Sequence, residues 1–492
     1  MVMQPQTGAI GPIPASRPAN TLPAPIPAAN RFFPPTTSNP AIFFFCTNEP
    51  KLLHIPYEFS PRPEPKRQNI FYFAGTNPRI DTFLMTSGTQ PHVPAQPTPK
   101  LICSECLDRI SNLRPTAVNA VLAEVREAQA TRADIVSLMR GEPDFPTPAH
   151  IVEACTRALH NGRTGYPDNR GEKTFRDAIA LKLHRDNALA CDPATEILAT
   201  SGATFGIHAA LTALLNEGDQ VLLPDPIYDA YRSPILLAGG IVRPVAATIE
   251  NGRFSLDPDS LERAWLPGVK ALILNTPWNP VGTVMTRREL ERIGHFCLRR
   301  NVTLIGDEIY EAITFDGHRH VSPLAALPEL KNHAVLVNSL SKTYAMTGWR
   351  VGYCAGPKDL IQRMFMVLAQ SSRGPATFVQ DAATEALTAS QDCVATMRDE
   401  YARRRTQVLT ALGDLPRVKV APPEGGFFAM ADISGLNESS NDVRRRLLRD
   451  QGLVVIHGAA YGPCGEGTLR VSFASGGKTL STGLERLREG LQ

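Results

Sequence analysis

The sequence predicts an α/β protein, with a mostly parallel central sheet flanked by helices and a smaller α+β domain beside it. Three observations carry this. From about residue 197 to residue 340, short apolar runs alternate with patterns of helical period. Turn residues such as Gly, Pro, Ser and Asn cluster where a run ends. Beyond Gln391 the alternation stops, giving one long charged helix, several short strand-like runs and a final helix. At 492 residues the chain is long enough for two domains.

Taken in order, the first 100 residues differ in kind from the rest. They hold 20 of the 42 prolines and little periodicity, so they are expected to form a disordered or extended segment. One reading is a proline-rich docking tail. The expectation we adopt is that translation begins at Met85 and residues 1–84 are absent from the native protein. Residues 115–129 show apolar spacing of helical period. Residues 141–148 read as a loop, followed by a helix to about Asn161 and another over 171–187. Runs 197–200, 220–223 and 271–274 lead to helices from Thr204, near Tyr228 and from Arg287. Runs 303–305 and 334–337 follow. In the C-terminal part the strand-like runs are 418–421, 426–430, 453–456 and 469–473. The expected division is an extension over 1–100, a large domain over 145–390, and a small domain from 101–144 with 391–492.

Composition narrows the function. Apolar and charged fractions of 43% and 20% are ordinary for a globular protein in water. A formal net charge of +3 gives no reason to expect nucleic acid or an anionic membrane as partner. No apolar run approaches the roughly 20 residues that span a bilayer. Nine cysteines in so long a chain do not read as a disulfide framework, so a reducing compartment, the cytoplasm, is expected. Cys103-Ser104-Glu105-Cys106 is a single CxxC without a second pair, and no metal site is expected.

One lysine has the setting for chemistry. Lys342 lies in Asn338-Ser339-Leu340-Ser341-Lys342-Thr343-Tyr344-Ala345-Met346-Thr347-Gly348-Trp349-Arg350, between apolar runs 334–337 and 351–355. Two short strands flanking a small-residue loop would hold it at a sheet edge, where desolvation can make it a nucleophile or proton shuttle. A lone lysine is more often a solvated charge, so its neighbours decide. Thr200-Ser201-Gly202-Ala203-Thr204 closes a strand and opens a helix, whose N–H groups and dipole favour an anion. Tight packing explains most such turns, but Ser339 and Arg350 could add a hydroxyl and a bidentate guanidinium. Asn279, between Pro277 and Pro280 after run 269–274, reads as a plain turn or as an amide displayed to a ligand. Asp307, after run 303–305, is costly to bury without a partner.

With these motifs assembled, the chain from about Ile110 onward resembles the class I/II aminotransferases, pyridoxal-phosphate enzymes of fold type I. The motifs are Ser339-Leu340-Ser341-Lys342 with Gly348-Trp349-Arg350, Asn279-Pro280-Val281-Gly282, Asp307-Glu308-Ile309-Tyr310, and Gly467-Thr468-Leu469-Arg470-Val471-Ser472-Phe473. Gly141-Glu142-Pro143-Asp144-Phe145 and Trp349 are similar to the subgroup of bacterial aspartate and aromatic aminotransferases. The resemblance implies that 145–390 is the domain that binds pyridoxal 5'-phosphate and that Lys342 forms an aldimine with it. Asp307 would pair with the ring nitrogen, Asn279 and Tyr310 with the phenolic oxygen, and Tyr228 would stack on the ring. Gly202, Ala203, Thr204, Ser339 and Arg350 would hold the phosphate. Tyr166 would reach the phosphate of a neighbouring subunit, implying a homodimer with shared sites. Arg470 would bind the substrate α-carboxylate, with Gly141 and Asn279 as further substrate contacts. Lys342, Asp307 and Tyr228 form the catalytic set.

Departures from the family pattern are Val281 in place of a threonine, tyrosine rather than tryptophan or phenylalanine at 228, and Gly426-Phe427-Phe428, which would give a more apolar rim. No arginine for a distal substrate carboxylate is identifiable, although a residue of a partner subunit could supply one, so the sequence does not decide dicarboxylic specificity. The expected reaction is ping-pong transfer of an amino group between an L-amino acid and a 2-oxo acid. The same chemistry also serves lyases, decarboxylases and synthases. A non-catalytic transcription regulator on this fold would need a basic winged helix, and residues 1–100 show no such periodicity.

Overall fold

The computed structural model describes residues 113–130 and 132–492. The proline-rich extension, the Met85 start and the Cys103/Cys106 pair lie outside the described residues. Seven strands form the main sheet: β1 (Ile197–Thr200), β2 (Gln220–Asp225), β3 (Ile241–Ala246), β4 (Val269–Asn275), β5 (Thr303–Asp307), β6 (Ala334–Ser339) and β7 (Gly352–Ala355). Their order across the sheet is β1-β7-β6-β5-β4-β2-β3. All pairings are parallel except those of β7, which runs against both β1 and β6.

Helices cover both faces of this sheet, which is why its inner strands read as unbroken apolar runs. Side chains alternate between the two faces. Leu198, Val335, Val337 and Cys354 pack into one core with Ile207, Leu211, Ile361 and Leu368. Ile197, Ala199, Leu336 and Tyr353 pack into another with Phe175, Ile179, Leu183 and Ala383. Helix ends follow local chemistry. Thr286 and Glu289 form a reciprocal capping box at the start of Arg287–Arg300, and Asn301 closes it in the left-handed conformation.

A second sheet holds β8 (Lys419–Val420), β9 (Phe428–Asp432), β10 (Ile456–His457) and β11 (Thr468–Ser472) in the order β8-β9-β11-β10. Its core joins Phe427, Phe428, Val471 and Phe473 to Tyr401, Leu447, Leu484 and Leu487 from three helices. Tyr310, Ile313 and Phe315, from the loop after β5, also enter this core. Helix Ala117–Gln129 packs against Leu448, Val454, Ile456 and Tyr461 through Val121 and Val125. Among the described residues no helix is long and apolar enough to cross a membrane.

One expectation needs correcting. Lys342 does not sit at a sheet edge: β6 is an interior strand, third across the sheet, and the lysine follows its carboxyl end. The segment after β6 is also no open loop. It turns at once into the short helix Leu340–Thr343, with the Ser339 hydroxyl accepting the Ser341 N–H at 3.2 Å. That helix fixes where the lysine points.

Beneath this turn lies a buried ionic network. Lys182, from helix Lys173–Asn187, pairs with Glu311, with both side chains less than a tenth exposed. Glu311 also accepts Asn187 Nδ2 at 2.7 Å and Asn338 Nδ2 at 2.8 Å. Burial works to raise its pKa, and Lys182, His320 and Asn187 together hold it below the usual value. Glu308, Glu311 and His320 bring possible metal-ligand atoms within 4.8 Å of one another, but the Lys182 ammonium already neutralises Glu311. Lys182→Met is expected to destabilise the fold by about 3–5 kcal/mol by leaving an unpaired buried carboxylate, with Lys182→Met/Glu311→Leu recovering part of the loss. Urea unfolding of the two variants checks this.

Candidate active site

The carboxyl ends of the parallel strands open into one cavity of about 450 Å³. That volume is within the range of small-molecule sites, and strand ends are where open α/β sheets bind ligands. Its lining brings together Gly141, Ala203, Thr204, Tyr228, Asn279, Asp307, Tyr310, Ser339, Lys342, Arg350 and Arg470. Gly202 adjoins it as the residue preceding helix Ala203–Leu214. Tyr166 is not brought there. It is 87% exposed, with the Arg373 guanidinium 5.5 Å from its ring centroid.

Lys342 is half-buried, and its Nζ donates to the Gly141 carbonyl at 2.5 Å. Desolvation pushes its pKa down to about 8, against the opposing pull of Glu142. Asp307 closes β5 and is 2% exposed. Burial pushes its pKa up to about 6, although the Tyr231 hydroxyl and the Ile309 amide favour the charged form. Asn275 orders the turn after β4. Its Nδ2 donates to the Asp307 carbonyl at 3.0 Å, and its Oδ1 accepts the Asn279 N–H at 2.8 Å. Tyr310 is buried edge-on to Phe427.

An anion cradle lies at the other end. Gly202, with φ +83°, precedes the helix, and no side chain caps that helix, so its first N–H groups remain open. A Cβ at position 202 would lie 2.6 Å from Arg350 Nη2. Arg350 adopts the left-handed conformation, and its Nη1 donates to the Thr347 carbonyl at 2.8 Å. Arg470, on β11, is buried. Its Nη2 donates to the Met139 carbonyl at 2.7 Å, Nη1 donates to Asn279 Oδ1 at 3.3 Å, and Nε has no partner. The guanidinium rests on Phe428, 4.1 Å from the ring centroid, and on Tyr461 at 4.9 Å. Val281, the departure noted above, is buried in the main core.

Sequence reasoning missed Tyr231, Asn275, Thr116, Asn119, Glu142 and Thr347, all of which line the cavity. Tyr231 carried a weak signal, since it follows Tyr228 by three residues and so lies on the same side of a helical turn.

The fold and the site together define an α/β enzyme built around a desolvated lysine, a buried acid and two arginines. Comparison with known proteins gives the family. The profile of the family "Aminotransferase class I and II" matches residues 133–487. An aspartate aminotransferase of Geobacillus stearothermophilus is 34% identical over 385 residues, 77% of this chain and 97% of that protein. Aromatic-amino-acid aminotransferase 2 of Thermococcus litoralis is 35% identical, covering 78% and 98%. The structure of Thermus thermophilus aspartate aminotransferase with maleate superposes with a TM-score of 0.73 at 36% identity, covering 78% and 98%. The chain belongs to the class I and II aminotransferases and is an enzyme of that fold.

In the cofactor-free protein, the Lys342 amine is expected to titrate near pH 8, against about 10.4 for an ordinary lysine. Competitive acetylation with acetic anhydride, read peptide by peptide by mass spectrometry across pH, measures this. A midpoint near the ordinary value would contradict the desolvated setting.

Proposed function

We propose that this aminotransferase uses pyridoxal 5'-phosphate, held in the cavity, to exchange an amino group between an L-amino acid and a 2-oxo acid in a ping-pong cycle at Lys342. The observation that carries the reading is the meeting, in one cavity, of a lysine of lowered pKa, a buried carboxylate and an anion cradle. The residues fit the cofactor: the helix at Gly202 has no side-chain cap, and a Cβ there would take the space beside Arg350. When bound, the cofactor supplies an aldehyde that amines condense with and a ring that withdraws electrons from the substrate Cα.

Lys342 would supply the amine that joins the cofactor; once the substrate's amino group has displaced it, the freed Nζ would take the proton from the substrate Cα. With a pKa of about 8, roughly one amine in ten is neutral at pH 7, compared with fewer than one in a thousand for an ordinary lysine. Asp307, ionised above about pH 6, would hold a positive charge on the ring nitrogen. Ala203, Thr204, Ser339 and Arg350, with Gly202 making room, would hold the phosphate. Asn279 and Tyr310 would hydrogen-bond the ring's phenolic oxygen, and Tyr228 would stack on the ring. Arg470 pairs with the substrate α-carboxylate beside the Gly141 backbone.

The cations lining the cavity are Lys342, Arg350 and Arg470, and each has a role. A further cation for a second substrate carboxylate is not among the described lining residues of one protomer, and in a homodimer with shared sites a residue of the partner subunit would be the source of one. The exposed Tyr166 supports a homodimer in which it reaches the partner's phosphate. Free thiols at Cys155, Cys191, Cys297, Cys354, Cys393 and Cys464 support a cytoplasmic setting.

An exchange assay with a panel of amino acids and 2-oxo acids tests the function. Lys342→Ala is expected to lose multiple turnover, and retained turnover would overturn the role of Lys342. Arg470→Leu is expected to lower kcat/KM by about a hundredfold or more, because a bidentate carboxylate pair is lost.

A further inference from the structure

Tyr231 stands behind Asp307. Its hydroxyl donates to Asp307 Oδ2 at 2.5 Å, and the Ile309 N–H donates to Oδ1 at 3.2 Å. Both side chains are buried, Tyr231 at 3% exposure and Asp307 at 2%. An ionised carboxylate has about four acceptor positions, so these two donors leave room for a third on the cavity side. Asp307 lines the cavity there.

The nature of the donor matters. An arginine or lysine in place of Tyr231 would hold the carboxylate as firmly but would cancel its charge, leaving little to attract a cation in the cavity. A phenol holds it without that cancellation. Tyr231 can only donate, because burial and then the Asp307 charge push its hydroxyl pKa well above the ordinary value. The phenol is itself fixed in place. It ends the turn Asp229–Tyr231, and its ring meets Tyr228 edge-on, with centroids 5.6 Å apart and planes at 86°.

We propose that Tyr231 is a positioning residue whose neutral hydroxyl keeps Asp307 ionised and aimed at the ring nitrogen of the bound cofactor. The inference rests on the cofactor assignment made above. Tyr231 acts through Asp307, on which its hydroxyl is spent. Burial has already raised Asp307 to about 6, with the Tyr231 hydrogen bond opposing that rise. Removing the hydroxyl raises the carboxyl further, so Asp307 becomes protonated at a higher pH and its pull on the ring nitrogen weakens first on the acid side.

The test is equilibrium binding to cofactor-free wild-type protein and to Tyr231→Phe, which keeps the ring packing. The two ligands are pyridoxal 5'-phosphate and its 1-deaza analogue, which lacks the ring nitrogen. Wild type is expected to prefer the natural cofactor, and the variant to lose about tenfold of that preference while binding the analogue as before. The pH below which cofactor affinity falls should also rise by about one unit in the variant. A purely structural role for Tyr231 would weaken both ligands alike, so an unchanged preference ratio overturns the proposal. Failure of the wild-type protein itself to bind pyridoxal 5'-phosphate would overturn the cofactor assignment, and the inference with it.

Discussion

The site depends on charges that are held firmly without being cancelled. Asp307 accepts from a neutral phenol and a backbone amide, and its pKa rises because water has been removed around it. Lys342, Arg350 and Arg470 each rest on a main-chain carbonyl, those of Gly141, Thr347 and Met139. Among the described residues none of the four forms an ion pair, although ion pairs abound elsewhere in the chain. A neutral hydrogen-bond partner fixes direction while leaving the field of the ion intact in a poorly solvated cavity. That is the electrostatic preorganisation a polar ligand needs, and the surrounding structure serves to maintain it.

The sheet supplies the rigidity. β4, β5 and β6 run side by side, and their last residues lead directly to Asn279, Asp307 and Lys342. The ladder between β4 and β5 is extended past the strands by Asn275, whose amide bridges the Asp307 carbonyl and the Asn279 N–H. Below them, the Lys182–Glu311 pair and Asn338 tie a helix to the exits of β5 and β6. The second sheet contributes Arg470 and Phe428 from β11 and β9, so the cavity is complete only where the two cores meet.

Much of this was legible in the sequence because both faces of the main sheet are covered. Runs such as Val269–Asn275 are buried at nearly every position and so read as strands without alternation. β3 was not legible: it is an edge strand, largely uncovered, and it carries Arg243 and Pro244. The residues at strand ends announced themselves, since Asn279, Asp307 and Lys342 each interrupt apolar sequence with a polar group. Their supports did not. Tyr231 lies 76 positions from Asp307, and Lys182 lies 129 from Glu311, separations over which no local pattern can signal a contact.

Strand β7, the one reversed strand of the main sheet, has a further consequence. Because it runs against β6, the two form a hairpin whose connection carries both Lys342 and Arg350. The lysine and the arginine of the anion cradle are thus spaced by a single connection of fixed length, while Asp307, Asn279 and Gly202 arrive on separate crossovers. Those crossovers can lengthen on the far side of the sheet without disturbing the cavity. The hairpin has no such slack. In any recombination or circular permutation of this fold, residues 334–355 would have to travel as one indivisible block.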